Sequence, residues 1–215
     1  MKPVKLMRYS IALMLTLFFK NAIAEEFNIK YSSNYLMPAY IHFKNDGEHY
    51  QIQAKMNVPL YNITFSATGY EKNQQFHLLS YRDTRNGKNY AMAELDANAI
   101  QYGKTKGPLK KEHLMLPTFD LFSLAFQLSY YDKLPDNFQT TNGKKLYPAK
   151  NVVLNKSQKS KSIKGKNIEE ITYQFKTGDD KEIVIKKWLS EKFPRYISYN
   201  RDGDHYELKF DRFIK

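Results

Sequence analysis

Five histidines, His42, His49, His77, His113 and His205, are the first residues that could do chemistry, because imidazole is a common metal ligand. A zinc site needs three or four converging ligands, usually including a close pair. No two of these histidines lie within five residues of each other, so no metal site is expected. The acidic pairs come next. Asp179 and Asp180 fall in a turn signal, where Asp is favoured for backbone reasons. Glu169 and Glu170 are neighbours in an expected strand and project to opposite faces. Neither pair sets an acid against a base across a substrate. Asp120 reads as first-turn helix chemistry, favourable at the positive end of the helix dipole. The chain has no cysteine, no Gly-x-Ser-x-Gly and no phosphate-binding loop. No catalytic residue and no cofactor is therefore expected, and an enzyme assembled from residues distant in sequence is the third functional reading.

The strongest local anomaly is basic. Lys156, Lys159, Lys161, Lys164 and Lys166 fall within residues 156–166 with three serines and no acid among them. Such a run reads as a solvated, exposed loop. Its functional reading is contact with an anionic surface, such as lipid head groups or an acidic partner. Trp188, the single tryptophan, is expected in the core or lining an apolar cavity.

The elements that must position these residues are mostly strands. Tyr50, Ile52, Ala54 and Met56 alternate with polar neighbours, and so do Tyr206, Leu208 and Phe210. That period of two marks half-buried strands. Asn45-Asp46-Gly47, Asn86-Gly87, Gly178-Asp179-Asp180 and Asp202-Gly203-Asp204 supply turns that tolerate positive φ. Strands are expected near 27–35, 39–44, 48–56, 60–71, 74–84, 87–95 and 98–103, then 144–154, 167–177, 180–189, 195–201 and 204–213. Short connections make neighbours antiparallel. Residues 103–112 and 156–166 are expected as loops.

One segment is helical. Over about 118–131, Leu121, Leu124, Ala125 and Leu128 repeat at i, i+3, i+4 and i+7, and Phe122 and Phe126 widen the apolar face. Thr118 is expected to cap the first turn. Ser123, Gln127 and Tyr130 form the narrow polar stripe. The fold class is all-β: a single antiparallel barrel or curved half-barrel, with the helix packed on its concave face. Leu121, Leu124 and Leu128 then serve as core or apolar lining. Two β-sandwich halves joined by the helix are the alternative.

The amino end sets the expected compartment. Lys2, Lys5 and Arg8 precede an apolar run, Ile11 to Phe19, and Ala22-Ile23-Ala24 offers small residues to a signal peptidase. The run is about half the length that spans a bilayer. Residues 1–24 are thus read as a signal peptide cleaved after Ala24. Residues 25–215 are read as one β-rich domain. Losing Lys2, Lys5, Arg8 and Lys20, and no acid, lowers the net charge from +12 to +8.

The chain resembles the bacterial envelope proteins grouped as domain of unknown function 3108. The likeness rests on the opening hairpins from Phe27 to Tyr70 and on the Pro-x-x-Asp-x-x-Ser pattern of Pro117, Asp120 and Ser123. Lys187-Trp188-Leu189-Ser190, Phe193-Pro194-Arg195-Tyr196 and the closing Tyr206-Glu207-Leu208 complete it. Members place glycine in the first hairpin, where this chain has Met37-Pro38-Ala39. The resemblance implies an exported, periplasmic, barrel-like protein and no defined activity. The first functional reading is a non-catalytic binding or carrier domain for a lipid-like or other apolar ligand. The second is a structural or interaction protein of the envelope. Nucleic acid is not an expected partner, and the oligomeric state is left open.

Overall fold

The computed structural model describes residues 24–35, 37–59, 61–201 and 203–215. The expected leader, apart from Ala24, lies outside the described residues.

Seven antiparallel strands open the chain: Glu25–Ser33 (β1), Ala39–Asn45 (β2), His49–Val58 (β3), Tyr61–Lys72 (β4), Gln75–Arg85 (β5), Lys88–Leu95 (β6) and Ala99–Lys104 (β7). They sit where the alternation and turn signals predict them. Asn86 and Gly87 both have positive φ, as a tight two-residue hairpin demands. Asp46 Oδ1 accepts from the backbone N–H groups of Glu48 and His49 at 3.0 and 2.7 Å, which closes the β2–β3 turn. Lys110–His113 (β8) adds a short strand where a loop is expected.

Thr118–Phe119 (β9), Phe138–Thr141 (β10) and Leu146–Ala149 (β11) form a separate three-stranded sheet, with β9 and β10 parallel. The long strand expected over 144–154 is therefore only β11, and β10 precedes it. The chain returns through Asn155–Ile163 (β12), Lys166–Lys176 (β13), Glu182–Trp188 (β14), Tyr196–Arg201 (β15) and Asp204–Phe213 (β16).

Thirteen of these strands make one curved sheet in the order β12-β13-β14-β15-β16-β1-β2-β3-β4-β5-β6-β7-β8. The seam between its halves is the β16–β1 pairing, with Ile29 opposite Phe213 and Ser33 opposite Leu208. This continuous sheet replaces the alternative of two sandwich halves. It is not closed into a barrel: β12 and β8 remain edges. The half-barrel form of the expectation holds, and the closed form does not. The concave side is occupied by the helix and the small sheet, which a barrel shut around its own side chains has no room for.

The helix, Leu121–Tyr131 (α1), touches β3, β5, β9 and β14. Phe122 to Ser129 are all buried. Phe43 of β2 stacks on Phe126 with ring centroids 4.1 Å apart. Ser123 and Gln127 are not a solvent-facing stripe, as the periodicity suggests, but lie inside, 0% and 1% exposed. Each is satisfied there, as buried polar groups must be. Gln127 Oε1 accepts from the Phe76 N–H at 2.8 Å, and its amide donates to the carbonyls of Gln74 and Lys133 at 3.1 Å.

The small sheet bridges the two arms of the large one. The Gly103 N–H at the end of β7 donates to the Gly143 carbonyl at 2.8 Å. On the other arm Gly178 lies against Pro148, where a Cβ would meet the Pro148 carbonyl oxygen at 1.7 Å. Only glycine permits that approach.

Candidate ligand cleft

The amino end of α1 begins at Asp120, not Thr118. Asp120 Oδ1 accepts from the N–H groups of Phe122 and Ser123 at 2.9 and 3.3 Å. Ser123 Oγ in return accepts from the Asp120 N–H at 2.9 Å. This reciprocal cap satisfies helix-end donors and explains the Asp-x-x-Ser spacing. Thr118 instead belongs to β9, where its hydroxyl accepts from the Gln139 amide at 2.8 Å. Burial pushes the Asp120 carboxyl above its ordinary range, against the lowering pull of Ser123 and the backbone N–H groups. Its second oxygen, Oδ2, is buried without a hydrogen-bond partner.

This helix end opens into a cleft of about 680 Å³ on the concave face. The volume lies within the range of small-molecule sites. Met56, Ile63, Phe65 and Tyr81 come from β3 to β5, and Leu121 and Phe122 from α1. Ile183, Ile197, Tyr199 and Leu208 come from β14 to β16. The β10–β11 hairpin supplies Thr140, Thr141, Asn142, Lys144 and Tyr147. Asp83 and Arg85 stand on the β5 wall, and Lys181 on the opposite arm.

The polar groups of the cleft are mostly tied down. Asp83 is 2% exposed, and its carboxylate accepts from Arg85 Nε and Nη2 at 3.3 and 3.2 Å. Lys181 pairs with Asp179 at 3.0 Å and lies over the rings of Tyr147 and Tyr199, 5.2 and 5.5 Å from their centroids. Tyr35, Tyr206 and Tyr199 stack in succession at the mouth, with centroids 5.0 and 4.7 Å apart. An apolar trough with a few fixed polar groups is the composition of a binding site.

The residues singled out from the sequence scatter relative to this cleft. Leu121 lines it, while Leu124 and Leu128 are fully buried beneath it. Trp188 neither lines the cleft nor joins the core. It pairs with Glu170 across β13, one residue out of step with inward Lys187, so the strand's alternation turns it to the convex face. There Arg195 stacks over it at 3.1 Å from the ring centroid, and Glu191 holds Arg195 by two bonds of 2.6 Å.

The five lysines are exposed but not on a loop. They lie on β12, its turn and the first residue of β13. Lys164 and Gly165 take positive φ in a two-residue turn. Lys161 pairs with Glu170 at 2.6 Å, and Lys156 lies 3.9 Å from Asp132. Lys159, Lys164 and Lys166 have no carboxylate partner among the described residues. The histidines stay apart, and no group of three or more His, Asp or Glu among the described residues could hold a metal ion. No helix among the described residues is long and apolar enough to cross a membrane.

The sequence gives no warning of the residues that matter most for the cleft. Arg85 comes from β5, Lys144 and Tyr147 from the β10–β11 hairpin, Lys181 from the turn before β14 and Tyr199 from β15, four places that no sequence spacing links. Comparison with known proteins adds nothing to this geometry: no family model, no curated protein and no solved structure matches the chain.

Proposed function

We propose that this chain is a non-catalytic binding or carrier domain for an apolar or lipid-like ligand. The observation that carries the reading is the cleft of about 680 Å³, walled by Met56, Ile63, Phe65, Leu121, Ile183 and Leu208. Burying an apolar ligand there gains roughly 25 cal/mol for each Å² removed from water. The reading includes export to a periplasm, with cleavage after Ala24. It also includes kinship with the domain of unknown function 3108 proteins. An envelope scaffold is the competing class.

Native mass spectrometry of gently purified protein tests the carrier. A lipid-sized adduct on the wild type is expected, and Leu121→Trp, which fills the trough, should remove it while the far-UV spectrum stays unchanged. Bare protein throughout, together with a stable partner captured by crosslinking in envelopes, favours the scaffold. The intact mass of protein taken from cells tests the leader. A main species beginning at Met1 overturns cleavage.

Lys159, Lys164 and Lys166 of the β12–β13 hairpin, without a carboxylate partner among the described residues, favour a second contact. A strand exposed on both faces and carrying free cations suits an anionic membrane surface, from which a carrier would collect its ligand.

A further inference from the structure

Three cations surround one ring at the margin of the cleft. The Arg85 guanidinium lies 3.9 Å from the centroid of Tyr90, Lys104 Nζ 5.6 Å and Lys144 Nζ 5.7 Å. The register of β5 against β6 shifts between Asp83 and Thr84, which pair with Ala91 and Asn89 and leave Tyr90 out of step. Such a bulge re-aims a side chain. Of the three cations, Arg85 alone has a carboxylate, that of Asp83; Lys104 and Lys144 have none among the described residues. Asp83 occupies one edge of the Arg85 fork, Nε and Nη2, and Nη1 has no hydrogen-bond partner among the described residues. Arg85 and Lys144 both line the cleft. On the opposite bank stand Asp204 and Glu207, the latter held by Lys209 at 2.7 Å. Lys181 on that arm is answered by Asp179, so the cations of the cleft short of carboxylates gather on the Arg85 side, beside an apolar floor.

We propose that the ligand is an anionic amphiphile whose carboxylate or phosphate head seats between Arg85 and Lys144 beside Tyr90, its apolar tail lying over Phe65, Leu121 and Ile183. This rests on the carrier reading above. Cations held together with too few carboxylates repel one another, and an anion arriving among them relieves that repulsion. A guanidinium edge beside an ammonium is the donor set that charged oxygens favour. The apolar floor then sets the rest of the ligand's chemistry.

Titration calorimetry on the full chain tests this with three probes below their aggregation concentrations: oleate, 1-oleoyl lysophosphatidate and the uncharged monoolein. At least one anion is expected to bind about tenfold or more tightly than monoolein, with the preference shrinking as salt rises. Oleate alone showing the preference assigns a carboxylate head, and lysophosphatidate alone a phosphate head. The pair Lys104→Gln and Lys144→Gln should bring the ratio of anion to monoolein affinity down towards one, while Lys144→Arg retains the preference. Equal binding of all three probes, unaltered by the glutamine pair, overturns the anionic head and leaves the carrier standing. No binding of any probe overturns both.

Discussion

Asp120 shows how one residue serves two demands that conflict. Its Oδ1 caps the helix, and its burial opposes the charge that makes a carboxylate a good cap. The folded value is raised, so above the ordinary aspartate value of about 4 the native state binds more protons than the unfolded chain. Stability therefore falls as pH rises between the unfolded and folded values. Asp120→Asn keeps the capping oxygen without the charge. It should flatten that slope and match or exceed wild type at neutral pH, whereas Asp120→Ala should cost about 1 kcal/mol. Urea titrations from acid to neutral pH measure both, and equal losses in the two variants would refute the account.

Lys187 is the opposite case, a buried cation that is fully answered. Its Nζ donates to the Ser129 carbonyl at 2.8 Å and pairs with Asp132 at 3.0 Å, locking the end of α1 to β14. Burial raises the Asp132 carboxyl, but the hydrogen bonds from Tyr173 and Lys187 and the nearby lysine charges hold it below its ordinary value. That contribution is present above the unfolded value and lost as pH falls through the folded one. Lys187→Met should cost about 1.5–3 kcal/mol, since it orphans a helix-end carbonyl. It should also shrink the acid-side loss of stability in the same titrations.

At the scale of elements, α1 and β12 are extremes. The helix is enclosed by the sheet, and Leu124, 0% exposed, makes it a core element. Leu124→Ala should cost about 2–5 kcal/mol, and a change below about half a kcal/mol in a denaturant midpoint would show otherwise. The strand β12 is exposed along its whole length. Lysines on such an edge discourage pairing with another chain. Changing Lys159, Lys164 and Lys166 to Gln removes cations that no described carboxylate answers. At about 1 kcal/mol each near an anionic surface, their loss should weaken vesicle binding at low salt by about a hundredfold. Stability should move by less than about half a kcal/mol. Wild-type protein that ignores anionic vesicles would leave β12 as a protected edge alone.

At the scale of the whole molecule, one core joins the large sheet, the small sheet and the helix. Residues from both arms share a single cluster, from Ile29, Phe43 and Phe76 to Tyr173, Ile185 and Ile197. The β16–β1 seam ties the last strand to the first. The two arms should therefore unfold together. Trp188 fluorescence reports the carboxy-terminal arm, and far-UV dichroism reports the entire sheet. Their thermal transitions should coincide. Two separated transitions would mean that the arms are independent.

The all-β class, the helix and the first seven strands are legible in the residues alone, because each of those strands buries one face and so writes an alternating pattern into them. The turns at Asn45-Asp46-Gly47 and Asn86-Gly87 are legible through their backbone demands. Residue pattern alone misread β8 and β12 as loops: with both faces in water, backbone pairing is their chief support, and pairing leaves no mark on side-chain type. It misplaced Ser123 and Gln127, because helical periodicity cannot tell a polar residue facing water from one bonded inside a fold that surrounds the helix. That the sheet stays open follows from long-range packing. The small sheet wedged between Gly103 and Gly178 holds the arms apart by contacts between residues far apart in the chain. The same long-range assembly brings Arg85, Tyr90 and Lys144 together, from strands and a hairpin whose register, not their spacing, sets the cluster.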